Sequence, residues 1–419
     1  MQASYLPRVV DSALVERLDR IGAVLIEGVK GCGKTLTARQ HAQSEVLLDL
    51  DEAARHTAEI APLNLLRGAT PRLIDEWQLV PSLWNAVRRE VDARGLDGQF
   101  ILTGSARPKD DATRHTGAGR FSRLRMRPFS LAESGLSTRQ VSLAGLLAGE
   151  LPKTGQAVLT LDDMIEEVCH GGWPADRKRS TEQARRNLAD YAGEFVRADL
   201  KTVDGVRRDP RRVEALLKAL ARNTASQAST ITLAKDAAHN GRPMAEETAA
   251  QYLLALELLM VYEPLPAWEP VLRGKARLRS QPKHYLVDPA LGAALLGAGV
   301  DEFQHDLKTF GFFFEALAVR DLRIYAQAAH AGVWHYRDSN NLEIDAIVDV
   351  GMGRWCAFEV KLGGGSAVED AADQLKKFAA KIDTQSAGSP AALCVLSASG
   401  YAYTRPDGVA VVPLGVLGP

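Results

Sequence analysis

The segment Gly28-Val29-Lys30-Gly31-Cys32-Gly33-Lys34-Thr35 follows an apolar run at 23–27 and precedes a helix-like stretch at 34–43. This is the pattern GxxxxGK[ST] between a strand and a helix. Its glycines let main-chain N–H groups turn inward around phosphate oxygens, and the helix adds the positive end of its dipole. Residues 28–36, with Leu36 closing the first turn, are the candidate cradle for ATP. Lys34 would neutralise phosphate charge, and the Thr35 hydroxyl would hold Mg²⁺.

A second element supports this reading. Residues 72–76 read Arg-Leu-Ile-Asp75-Glu76, an apolar strand ending in two carboxylates. Asp75 would reach the Mg²⁺, and Glu76 would polarise the attacking water as general base. A third run, 100–105, ends in Thr103 and Ser105, candidate sensors of the γ-phosphate, although hydroxyls at a strand end are also common turn formers. Arg107, Arg114 and Arg120 follow closely. Arg120, in Gly-Arg-Phe, is the choice for an arginine set against transition-state charge, acting on its own ATP or on a neighbour's in a homo-oligomer. A solvated basic face is the competing reading of all three.

A second constellation lies near the C-terminus. The run LEIDAIVDV turns at Gly351-Met352-Gly353 and returns as RWCAFEVKL. A turn centred on Met352 pairs residues whose numbers sum to 704, setting Asp345 opposite Glu359 and Glu343 opposite Lys361. Side chains alternate faces along a strand, so Ile344, Ala346, Val348, Cys356, Phe358 and Val360 share an apolar face and the four charged residues share the other. Carboxylates facing each other at roughly 5 Å repel unless a cation or proton lies between them. Asp345 and Glu359 are therefore candidate Mg²⁺ ligands, with Lys361 to orient water or stabilise developing charge. Three readings stand: a metal-dependent nuclease-type site, a nuclease-like fold that only binds, and a solvated face carrying a Glu343–Lys361 ion pair.

These residues need elements to position them. Runs at 23–27, 46–50, 72–75, 100–103 and 123–127 alternate with helical stretches at 34–43 and 82–93, as in a parallel sheet wrapped by helices. From 141 to 300 helices dominate (164–169, 182–200, 211–221, 246–262), followed by a basic strand-like stretch, an order that suggests a winged helix. After 300 an α/β pattern returns: a helix at 310–325, strands at 333–337, 342–350 and 354–361, a helix at 367–381 and a strand at 391–397. Three domains are expected, 1–140, 141–300 and 301–419, in keeping with 419 residues at roughly 150 per domain.

Composition is that of a globular chain, with 46% hydrophobic and 25% charged residues and a net charge of −1, which excludes a disordered or collagen-like chain. No run approaches the roughly 18 apolar residues of a membrane span. The N-terminus does not read as a signal peptide. Four scattered cysteines form no CxxC or zinc spacing, pointing to a reducing, cytoplasmic compartment.

Taken together, GVKGCGKT, LIDEWQLVP (73–81), ILTGSA (101–106), GAGRF (117–121), RPFSLAE (127–133), GGWP (171–174), YLLALELLMVYEPLPAW (252–268), HYLVDPALGAALLG (284–297), LEIDAIV and FEVKLG resemble the prokaryotic AAA-family ATPases that carry a C-terminal DUF4143 domain. The resemblance covers nearly the whole chain. It implies an AAA-type P-loop NTPase domain, a helical or winged-helix-like middle domain, and a C-terminal α/β domain similar to PD-(D/E)xK (restriction-endonuclease-like) nucleases. Some of those nucleases carry an extra acid on the preceding helix, here Glu315. The segment before Gly119-Arg120 reads KDDATRHTG, where the family has an apolar run.

Two basic clusters, 273–283 and Arg207, Arg208, Arg211 and Arg212, are candidate contacts to a nucleic-acid backbone, with DNA or other nucleic acid as the candidate partner and a solvated surface as the plainer reading. Trp173, Trp268 and Trp334 read as packing residues. The expected function is hydrolysis of Mg-ATP to drive or gate the nuclease-like domain. The alternative is a nucleotide-dependent switch whose nuclease-like domain only binds DNA or a protein.

Overall fold

The structure is a computed structural model that describes residues 5–106, 116–199, 206, 208–238, 242–269 and 281–419. Arg107, Arg114, Arg207 and the basic segment 273–279 lie outside the described residues. The chain forms two compact units: Met1–Pro128 with Arg197–Arg208 and Leu254–Val261, and Phe129–Val196 with Asp209–Leu253 and Tyr262–Pro419.

In the first unit, strands β1 (Ala23–Gly28), β2 (Ser44–Leu47), β3 (Arg72–Asp75), β4 (Phe100–Gly104) and β5 (Phe121–Met126) form one sheet in the order β2-β3-β4-β1-β5. Every neighbouring pair is parallel. β1 lies between β4 and β5 and is buried at all six positions, which is why it reads as an unbroken apolar run rather than an alternating one. Val46, Ile74, Leu102, Trp77, Trp84 and Val87 build a core on one face. β2 starts two residues earlier than the sequence pattern suggests and ends at Leu47. The residues after it turn into the helix Glu52–Ile60, which Asp51 caps by accepting from the Ala54 amide at 2.9 Å.

The second unit carries β6 (Val141–Ser142), β7 (Gly155–Gln156), β8 (Gly332–Arg337), β9 (Glu343–Gly351), β10 (Arg354–Lys361), β11 (Pro390–Ser397), β12 (Tyr401–Thr404), β13 (Ala410–Pro413) and β14 (Leu417–Gly418). Seven of them form one sheet, β7-β12-β13-β11-β10-β9-β8, and β6 pairs with β14. Residues 141–156 thus pair with the last strands of the chain, and the helices of 161–296, apart from the segments Arg197–Arg208 and Leu254–Val261, share this unit with residues 301–419.

The helix Thr181–Glu194 ends earlier than the expected 182–200 and continues as a π-turn, Phe195–Asp199. The helix Glu246–Leu258 stops short of Tyr262, which instead bridges Leu286 in antiparallel fashion. Among the helices that the sequence pattern did not single out, Pro289–Leu296 has plain signals. Asp288 caps it through the Ala290 amide, Pro289 opens it, and Gly297 closes it at φ 71°.

A buried ionic knot explains several motifs of the middle region. Arg320, on the helix Leu307–Ala328, bonds Asp288 at 2.7 Å and Asp321 at 2.9 Å. Asp288 also accepts from the Gly172 amide at 3.2 Å, and Asp321 from the Leu131 amide at 3.0 Å. GGWP, RPFSLAE and VDPALG therefore meet around one guanidinium. Their role here is to satisfy buried charge.

Candidate functional site

Gly28 ends β1, and the loop that follows reaches the helix Lys34–His41 through Gly31 (φ 76°) and Gly33 (φ 104°). Both need the left-handed region that glycine occupies without steric cost. Gly28 is needed for a different reason: a Cβ there would stand 2.2 Å from the Met126 carbonyl oxygen of β5. Buried Arg8 pins the assembly, donating to the carbonyls of Cys32 (2.8 Å) and Arg127 (2.7 Å). The Lys34 ammonium rests on two neutral carbonyls of the loop itself, Gly28 (2.9 Å) and Val29 (3.1 Å).

The sheet order sets β4 between β1 and β3, so the ends of these three strands converge beside the loop. The Thr35 hydroxyl donates to Asp75 at 2.9 Å, and the Thr103 hydroxyl donates to the same carboxylate oxygen. Burial pushes the Asp75 carboxyl above its ordinary value, partly offset by these two donors. Glu76 sits at φ 54°, its amide donating to Thr103 Oγ1 at 3.3 Å. Its carboxylate accepts from Ser105 at 3.1 Å and from the Gln78 amide. Sequence reasoning missed Gln78, although it lies two residues from Glu76. A hydroxyl and a carboxylate converging on one point are hard oxygen donors, and an added cation would relieve the buried charge of Asp75, so the residues present fit Mg²⁺.

Arg120 is placed elsewhere. Its carbonyl accepts from the Ala23 amide at the start of β1, and its guanidinium pairs with Asp92 at 2.8 Å on an exposed surface. The loop lies at the other end of β1, about 16 Å away at about 3.3 Å per residue. So placed, Arg120 does not reach this chain's own loop, which leaves the other expected reading, a neighbour's ATP. A parallel connection must carry the chain back across the sheet before β5 begins, and Arg120 ends that return.

The second constellation has the register that the turn implied. Cys356 pairs with Val348, Ala357 with Ile347 and Phe358 with Ala346, and Gly351, Met352 and Gly353 all have positive φ. Its acidic face is not solvated. The same face continues as Ile347, Trp355 and Ala357, packed under the helix Ser366–Lys381 by Val368, Ala371, Leu375 and Phe378. Glu359 is 1% exposed, and Glu315 and Asp345 are buried. The Glu343–Lys361 pairing is also corrected: Lys361 bonds Glu359 at 2.8 Å, and Glu343 bonds Lys283 at 2.8 Å.

Lys283 is the residue that sequence reasoning missed, having read it as one more member of a basic run. Its ammonium, on a side chain 1% exposed, lies 2.9 Å from Glu315, 2.8 Å from Glu343 and 3.0 Å from Asp345. Burial alone would raise the Asp345 carboxyl, but Lys283 and Lys361 beside it hold it below the ordinary range. Burial, reinforced by the Asp345 charge, pushes Glu359 up to about 8 and Glu315 up to about 7. Among the described residues no group of three or more His, Cys, Asp or Glu side chains is arranged to hold a metal. The acids as placed do not fit a divalent ion, because an ammonium already takes their oxygens. A cavity of about 670 Å³ opens beside the cluster, lined also by Gln227, Lys308, Arg337 and Gln374.

A glycine loop at the end of a buried parallel strand, followed by a helix, makes the first unit a P-loop nucleotide-binding domain. A family model described as an AAA domain matches residues 21–135. A domain of unknown function, DUF4143, matches 310–417, and another, DUF8612, matches 161–302. The chain thus contains an AAA domain and a DUF4143 domain. Uncharacterized proteins of Mycobacterium tuberculosis and Mycobacterium bovis are each 27% identical over 350 residues, covering 82% of this chain and 71% of theirs. Among solved structures, a Walker-type ATPase of Pyrococcus abyssi aligns with a TM-score of 0.42 at 15% identity, covering 70% of this chain and 96% of that one. A DNA replication initiation factor aligns with a TM-score of 0.22 at 15% identity, covering 59% and 86%. Likeness of this degree leaves function to the sites themselves. Among the described residues no helix is long and apolar enough to cross a membrane.

Proposed function

We propose that the protein hydrolyses ATP with Mg²⁺ in its first unit. The observation that carries this reading is the convergence of Thr35, Asp75, Thr103, Glu76 and Ser105 beside the glycine loop. Main-chain amides from Gly28 to Leu36 hold the phosphates, and Lys34 leaves its loop carbonyls to neutralise them. Thr35 and Asp75 would hold Mg²⁺, which supplies charge neutralisation at the phosphates when bound. Glu76 takes the proton of the attacking water once Gln78 and Ser105 release it, and Thr103 keeps Asp75 oriented. The test is Glu76→Gln, which retains ATP binding and loses turnover.

ATP turnover then drives or gates the C-terminal part of the chain, which acts on nucleic acid. A nuclease-like character is supported by the hairpin that carries Asp345, Glu359 and Lys361, with Glu315 on the preceding helix beside the same cavity. A winged-helix-like middle segment is supported by the helices Pro210–Arg222, Thr230–Asp236 and Glu246–Leu258 followed by the antiparallel bridge between Leu265 and Lys283. Arg208, Arg211 and Arg212 would meet the phosphate backbone, as would the basic residues of 273–279, whereas Lys283 is buried and engaged by carboxylates. We read the segments as 1–140, 141–300 and 301–419.

A second reading, in which this part holds nucleic acid or a protein without cutting it, is favoured by the ammonium of Lys283 among the acids. An assay with Mg²⁺ on branched, linear and single-stranded substrates separates the two. Cleavage abolished by Glu359→Ala supports the nuclease, and salt-sensitive binding without cleavage supports the second reading.

A further inference from the structure

We propose that Lys283 is the resident cation of the acidic cluster, holding the position that a divalent ion would take among Glu315, Glu343 and Asp345, so that the cluster takes up no Mg²⁺ or Mn²⁺ while the lysine is present. This inference does not depend on the ATPase reading, because it concerns a different site.

The donor count supports it first. An ammonium has three N–H donors, and Lys283 has three carboxylates at 2.8 to 3.0 Å. The acceptors are occupied as well: Glu315 Oε1 also accepts from the Tyr285 hydroxyl at 2.6 Å, and the second oxygen of Asp345 accepts from the Val360 amide at 2.9 Å. Glu359 is engaged by Lys361 at 2.8 Å and by Gln374 at 3.2 Å. A divalent ion entering here would sit beside two ammonium groups in a site of low dielectric, where like charges repel strongly.

The backbone supports it next. Lys283 exchanges both main-chain hydrogen bonds with Leu265, at 3.0 and 2.8 Å. On the other side His284 donates to the Ser226 carbonyl and accepts from the Ala225 amide, each at 2.9 Å. The lysine therefore stands on a segment stitched from two directions. It also comes from outside residues 310–417, so that the acids and their counter-ion belong to different parts of the chain.

The test uses the full chain without nucleotide and titrates Mn²⁺ by calorimetry or by the electron spin resonance of the free ion. Mn²⁺ held at Thr35 and Asp75 is common to all the proteins compared and cancels. Wild type and Asp345→Asn should give the same isotherm. Lys283→Met should gain one site at least tenfold tighter than any that wild type shows at this cluster, and the double variant Lys283→Met/Asp345→Asn should lose it again. Mn²⁺ should raise the melting temperature of Lys283→Met through that site. A wild-type Mn²⁺ site that Asp345→Asn removes would overturn the proposal, as would a folded Lys283→Met that gains none. If Lys283→Met fails to fold, the comparison of wild type with Asp345→Asn still decides.

Discussion

Among the described residues each unit buries one lysine, and the two do opposite things. In the first, Lys34 rests on the neutral carbonyls of Gly28 and Val29, while Asp75 and Glu76 are held by hydroxyls and an amide. In the second, Lys283 sits directly among Glu315, Glu343 and Asp345. A carboxylate held only by neutral donors keeps its charge uncompensated and awaits an external cation. One that already touches an ammonium does not. The same residue types thus make a site that needs an ion and a site that has one, and the difference lies in which partner the ammonium reaches.

The largest expected effect tests the first half of that contrast. Glu76→Gln should lower ATP turnover by about 10²–10⁴-fold, the usual contribution of a general base, with ATP affinity kept. Phosphate release and nucleotide titration measure the two. Unchanged turnover would move the base elsewhere.

Next comes one substitution made in both units. Lys283→Met takes the ammonium from two buried carboxylates, Glu315 and Asp345, and from the half-buried Glu343, and should cost about 3–5 kcal/mol in denaturant unfolding. Lys34→Met gives up bonds to neutral carbonyls and should cost about 1–2 kcal/mol, while abolishing ATP binding. Equal costs at both positions would break the comparison.

A pH effect of smaller size follows from His335, which is fully buried. Burial first, and then the charge of Lys283, push its imidazole from the ordinary 6.5 down to about 4. Because the folded value lies below the unfolded one, this stabilisation is complete above pH 6.5 and is lost as pH falls towards 4, by at most about 3 kcal/mol. Glu315 and Glu359 act in the opposite sense, since their raised values give stability that is present below the unfolded range and lost as pH rises through about 7 and about 8. The difference between wild type and His335→Gln isolates the histidine, and its stability gap should narrow on acidification between pH 6.5 and 4.

The smallest effect concerns Arg120, whose exposed pair with Asp92 should contribute under about 1 kcal/mol. Arg120→Ala should melt like wild type. A large loss of turnover in that variant, joined to wild-type turnover that rises with protein concentration, would place this arginine at a neighbouring copy's loop.

Much of both sites was legible because it is local. The glycine loop and the Asp75–Glu76 pair are contiguous, and the β9–β10 register follows from a turn of three residues and the alternation of side chains. Arg120 is near β4 in sequence yet far from this chain's loop in space, because the parallel connection carries the chain back across the sheet before β5 begins. A solvated acidic face stayed open as one of three readings because Ile347, Trp355 and Ala357 show only that something covers it, and the helix Ser366–Lys381 had to be seen packed there.

Sequence by itself determined the chemistry on offer: a phosphate-binding loop with its acids, and a hairpin that sets Asp345 near Glu359. Backbone geometry and side-chain alternation act over a few residues, so contiguous sequence carries them. Only the tertiary structure decided which charges neutralise one another. Lys283 and Asp345 are 62 residues apart, and the free energy of a buried ammonium depends on which oxygens surround it, a property of packing that no local pattern encodes.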